Sequence, residues 1–129
     1  MKDKKPILCL DFDGVIHSYT SRWQGADVIP DEPVEGAMGF LICAIQEFDV
    51  VIFSSRSNQR GGIAAMKKWL KEHAGNLWYD SPCGPGIGDV RFTTEKPAAM
   101  VTIDDRAITF TGQWPEIDAL KSFKPWNKQ

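Results

Sequence analysis

Three short apolar runs in this chain each stop abruptly at a polar or acidic residue. Pro6-Ile7-Leu8-Cys9-Leu10 ends at Asp11, Val50-Val51-Ile52-Phe53 at Ser54, and Ala98-Ala99-Met100-Val101-Thr102-Ile103 at Asp104. A continuous apolar run of this length, without alternation, suits a strand buried on both faces, as in a parallel sheet. Between the first two runs, Phe40, Leu41, Ala44, Ile45 and Phe48 recur at helical spacing and predict a helix over about 35–47. After the second, Ile63, Met66, Trp69, Leu70 and His73 share one face and predict another helix over 63–73, with Lys67, Lys68 and Lys71 in solvent. Strands alternating with helices predict an α/β fold: a Rossmann-like, doubly wound, mainly parallel sheet.

The rest of the chain carries weaker signals. Asn76–Tyr79 reads as a short strand, Ser81–Gly88 as a Gly/Pro loop and Val90–Thr93 as an edge strand. Ala107–Thr111 predicts a further strand, and Trp114-Pro115-Glu116 opens a last helix with Ile117 and Leu120 turned inward. Cys9, Phe40, Phe48 and Trp69 read as core.

At 129 residues, the chain has room for one domain, residues 1–129. Seventeen acidic against 15 basic side chains leave a formal charge of −2, which excludes a broadly basic nucleic-acid surface or a polybasic membrane anchor. The charged opening Met1–Lys5 precedes only about five apolar residues, so neither a signal peptide nor a membrane span is expected. Cys9, Cys43 and Cys83 form no CxxC pair, which argues against a disulfide framework or zinc knuckle and for a reducing cytoplasm.

In a parallel sheet the carboxyl ends of the strands share one edge, where ligands bind. Asp11, Asp13, Asp104 and Asp105 are therefore expected to converge with Ser54. Carboxylates so close repel one another, and a divalent cation relieves the repulsion. Oxygen-only ligands favour magnesium. A spare carboxylate beside the cation is a candidate nucleophile for phosphoryl chemistry, and a second one two residues away a candidate general acid and base. Ser54, Lys96 and backbone N–H groups around Gly14 are the candidate donors to the phosphoryl oxygens.

The ordered set Asp11-Phe12-Asp13-Gly14, Ser54, Lys96 and Asp104-Asp105 resembles the four motifs of the haloacid dehalogenase superfamily, over nearly the whole chain. The resemblance implies a phosphatase in which Asp11 attacks phosphorus and Asp13 protonates the leaving oxygen, then activates water. It implies Mg2+ held by Asp11, the Asp13 backbone carbonyl, Asp104 and Asp105, and phosphate held by Ser54 and Lys96, with Ser55 the alternative to Ser54. Ser54-Ser55-Arg56 and Ile103–Ala107 are similar to the phosphatase domains of polynucleotide end-processing enzymes and small capless relatives.

Cap insertions in that superfamily fall where this chain has only residues 16–35 and 75–95, enough for a β-hairpin flap but not for a cap domain. The site is then open, or covered by a second copy of the chain, and suits a bulky phosphoester such as a nucleic-acid end. His17, Tyr19, Arg22 and Trp23 on the flap, with Arg56 and Arg60, are candidate contacts to the leaving group. Each also has a plainer reading: Trp23 as a packing anchor, Arg56 as partner of a motif carboxylate, His17 as a turn hydrogen bond. A small-molecule nucleotidase and a catalytically idle binding domain are the alternative functions.

Overall fold

The computed structural model describes residues 4–128, and in it the run before Asp11 forms an interior strand, β1 (Ile7–Leu10). The chain continues through α1 (Ala37–Glu47), β2 (Asp49–Ile52) and α2 (Gly62–Ala74), then two 3-10 turns at Gly75–Trp78 and Ile87–Asp89. It closes with β3 (Arg91–Phe92), β4 (Val101–Ile103), α3 (Ile117–Lys121) and a 3-10 turn at Trp126–Lys128. The four strands are all parallel, in the order β3-β2-β1-β4. This is an α/β fold of Rossmann-like type with no large cap. No helix among the described residues is long and apolar enough to cross a membrane.

Register sets the site. Leu10 pairs with Ile52 on one side and Ile103 on the other, so Asp11, Phe53 and Asp104 leave the sheet level with one another. The ladder runs one step further, with Asp11 N–H donating to the Ile103 carbonyl and Phe53 N–H to the Leu10 carbonyl, both at 3.0 Å. Leu8, Leu10, Val50 and Ile52 pack in one core with Leu41, Ala44 and Ile45 of α1 and Met66, Trp69 and Leu70 of α2. Burying each large apolar side chain there contributes about 1.5–3 kcal/mol. Cys9 and Val51, at the alternate strand positions, are buried as well, as continuous apolar runs require.

Several expected elements differ. Residues 76–79 form a 3-10 turn rather than a strand: β3 already occupies the outer edge of β2, and Gly86 and Gly88 lie hard against the Trp78 backbone. Ala107–Thr111 forms no strand and joins no sheet among the described residues, where β4 is the last strand on its side. The last helix is only five residues, and Ile117 and Leu120 face solvent rather than the core. Phe48 packs on the core, whereas Phe40 is half-exposed at the mouth of an apolar groove between α1 and the flap. The flap is hairpin-like only at its base, where Ser18 N–H meets the Glu32 carbonyl and Val34 N–H the Ile16 carbonyl. No strand forms within 16–35.

The loop after β2 turns into α2 through one close approach. A Cβ at Gly62 would meet the Arg56 carbonyl oxygen well inside van der Waals contact. Gly62→Ala, which in an ordinary helix gains about 0.5–1 kcal/mol, should here lose roughly 1–3 kcal/mol by overpacking, read as a lower thermal midpoint.

Candidate active site

The turn after β1 is wound by Phe12, whose carbonyl accepts the N–H groups of Val15, Ile16 and His17. This winding sends two acids only two residues apart into opposite surroundings. Asp11 stays at the sheet edge and joins Asp104 and Asp105, with one carboxylate oxygen from each lying within 4.8 Å of the others. Asp13 turns away, toward the loop after β2 and the flap.

Asp13 is saturated with donors. His17 Nδ1 lies 2.9 Å from its Oδ1, and Arg56 Nε donates to its Oδ2 at 2.8 Å. His17 Nε2 accepts the Asp31 N–H at 3.1 Å, which leaves Nδ1 to carry the ring hydrogen toward Asp13. Burial works to raise the Asp13 carboxyl, but the His17 hydrogen bond and the hydrogen bond and charge of Arg56 outweigh it and hold it below its ordinary value. His17 is fully buried among Phe12, Tyr19 and Trp69. It therefore positions Asp13 and the flap: of its two sequence readings, the turn hydrogen bond is the one observed, and the contact to a leaving group is not.

Arg56 is fully buried too. Besides Asp13, it donates through Nη1 to the carbonyls of Gly25, Ala26 and Val28 at 2.9–3.1 Å, pinning the flap to the sheet. Its plainer reading, as partner of a motif carboxylate, is the one observed. Nη2 is buried without a partner among the described residues, and the Trp23 ring lies over the guanidinium, 4.7 Å from its carbon to the ring centroid.

Asp11 meets the reverse conditions. Burial, then the shared hydrogen bond with Asp105 and the charges of Asp104 and Asp105, push its carboxyl up to about 8 against one lowering contact, the Phe12 N–H. Asp105 Oδ1 is also buried without a partner. Three carboxyls with one held neutral for want of positive charge, and one oxygen left bare, are what a hard divalent cation would satisfy. The donor set fits magnesium, which Asp11, Asp104 and Asp105 would hold. Gly14 makes the approach possible: its φ of +82° suits glycine, and a Cβ there would collide with the Asp105 carboxylate.

Beside this cluster lies a cleft of about 150 Å³ lined by Asp11, Asp13, Asp105, Ser55, Tyr19, Trp23 and Arg106. Ser55 thus faces the cleft, whereas the Ser54 hydroxyl is buried in its own loop, accepting the Arg56 N–H at 3.1 Å. The Gly14 N–H expected for phosphate is already donated to the His17 carbonyl at 2.7 Å. Lys96 is exposed on the return to β4 and does not line the cleft; Arg22 and Arg60 are exposed and do not line it either. Arg106 was missed, although its place directly after the acidic pair was a usable signal. Trp126 was missed as well: its Nε1 caps the Gly14 carbonyl at 2.7 Å, and nothing in its surroundings in sequence points to the first motif.

A carboxyl raised from 3.8 to about 8 binds its proton more tightly folded than unfolded, so its stabilising contribution is present below pH 4 and lost as pH rises through 8. In EDTA, Asp11→Asn should therefore gain on the wild type from pH 4 to pH 8, reaching a thermal midpoint about 5 °C higher. It should also abolish the midpoint rise that magnesium gives the wild type. No family model matches the chain, and no curated protein or solved structure matches it.

Proposed function

We propose that this chain is a magnesium-dependent phosphomonoester phosphatase working through an aspartyl-phosphate on Asp11. The observation that carries the reading is the Asp11–Asp104–Asp105 cluster at level strand ends, with the Asp11 carboxyl driven up and an Asp105 oxygen bare. A bound magnesium ion supplies the positive charge that keeps Asp11 ionised at neutral pH and offsets charge on the phosphoryl oxygens.

The Asp11 carboxylate attacks phosphorus, the bond from phosphorus to the leaving oxygen breaks, and that oxygen takes the proton carried by Asp13, which leaves Asp13 ionised. Water then attacks phosphorus, gives a proton to Asp13, and phosphate leaves with the Asp11 carboxylate restored. The Ser55 hydroxyl and the Arg106 guanidinium on the cleft wall are the protein's donors to the phosphoryl oxygens. Asp13, ionised between His17 and Arg56, is ready for the second half-reaction and needs a proton before it can act in the first. The exposed Cys43 and Cys83, both free, suit a reducing compartment such as the cytoplasm.

Phosphate release should require magnesium, vanish in EDTA and fall at least ~10³-fold in Asp11→Asn; release that survives Asp11→Asn would defeat the reading. Asp13→Asn should discriminate by leaving group. Alkyl phosphates, whose leaving oxygen needs a proton, should lose formation of the intermediate by about 10²–10⁴-fold, while 4-nitrophenyl phosphate should keep a burst and stall in turnover.

A further inference from the structure

The cleft at Asp11 is small, about 150 Å³, whereas sites that enclose a whole ligand run to about 300–1,000 Å³. It has room for little more than a phosphoryl group, so the remainder of any substrate must lie outside it. Besides the acids and Ser55, its lining is two aromatics and a cation: Tyr19, Trp23 and Arg106.

Trp23 is built as a platform. The flap is anchored on both sides of it, by Ser21 N–H and Oγ donating to Asp31, and by the Gly25 and Ala26 carbonyls on Arg56. The backbone leading to it is turned tightly, with Tyr19 at φ 61° and Arg22 at φ 67°, conformations that L residues hold only where the surroundings fix them. One face of the indole is taken by the Arg56 guanidinium, yet 43% of the residue is exposed. A buried packing anchor would not leave so large an aromatic surface at a cleft mouth. Beneath it, Arg56 Nη2 is buried with no partner among the described residues, although every other guanidinium nitrogen of Arg56 is used.

Resting on the phosphatase reading, we infer that Trp23 is a stacking platform for a planar ring on the leaving group, so that the substrate is a nucleotide phosphomonoester. The phosphate enters the Asp11 cleft, and the base lies on the open part of the indole, with Arg56 backing the other face. Aromatic stacking of this kind tolerates any base, because every base has a π-face. The same chemistry is offered by a free nucleotide and by the phosphorylated end of a nucleic acid, and the two are separated by experiment.

The test compares kcat/KM with magnesium for 3′- and 5′-nucleoside monophosphates, a 3′-phosphorylated oligonucleotide and glycerol phosphate, in wild type, Trp23→Ala and Trp23→Phe. The preference for nucleotide over glycerol phosphate should fall about 5- to 100-fold in Trp23→Ala and be largely kept in Trp23→Phe. An unchanged preference in Trp23→Ala overturns the inference. Higher kcat/KM on the oligonucleotide or on the free nucleotide names the source, and either supports it. Saturation-transfer NMR of a nucleoside monophosphate gives a readout independent of turnover. Base protons saturated by the wild type and not by Trp23→Ala, with no phosphate released, would defeat the phosphatase reading and leave the platform standing. Hydrolysis with no base contact would do the reverse.

Discussion

A guanidinium with no exposed surface ties this site together. Arg56 comes from the loop after β2, reaches the acid after β1 and holds three carbonyls of the flap. Taking such a charge out of water costs several kcal/mol, and the cost is offset only when a counter-charge and good acceptors surround it. The Asp13 carboxylate and the flap carbonyls are those acceptors, so the flap cannot relax without stranding the charge. The flap's position, the orientation of Asp13 and the turn into α2 at Gly62 are therefore one constraint seen from three sides. His17 closes the assembly, because its second nitrogen fixes Asp31 and hence the far side of the flap base.

That constraint divides the labour of two acids that are near neighbours in sequence. Asp13 receives two side-chain donors, one of them the Arg56 guanidinium, and Asp11 a single backbone N–H beside two like charges, which lowers one carboxyl and raises the other. Environments that separate paired carboxyls in this way are how a single fold assigns different tasks to like residues. The division needs no difference in residue type. It follows from the Phe12 carbonyl gathering three N–H groups and turning the chain between the two side chains.

Much of this was legible in the sequence. The abrupt ends of the apolar runs gave the parallel strands and the common edge, since a run buried on both faces must lie inside such a sheet. Asp11, Asp104 and Asp105 come together because the register of β1 with β4 is level, as their positions at strand ends required. What could not be read was where donors are spent. Gly14 N–H, the Ser54 hydroxyl and His17 all carry the right chemistry, and each is consumed within a turn or core, which only the folded path decides. The C-terminal segment misled for a related reason. Its apolar spacing resembles that of a packed strand and helix, but the sheet ends at β4, and Ile108, Phe110 and Ile117 stay exposed, with Phe110 against Trp114 rather than in the core.

The hydrogen bond from Trp126 to the Gly14 carbonyl spans 112 positions of sequence. During synthesis the first motif leaves the ribosome early, yet the residue that caps its turn, and the strand that brings Asp104 and Asp105, come last. A growing chain can build β1, α1, β2 and α2 into a partial core while its reactive turn remains open at one end. Contacts of such separation are slow to form, because the loop must close before they reward it. The order of translation thus keeps the acidic centre unassembled until the rest of the domain is already in place to receive it.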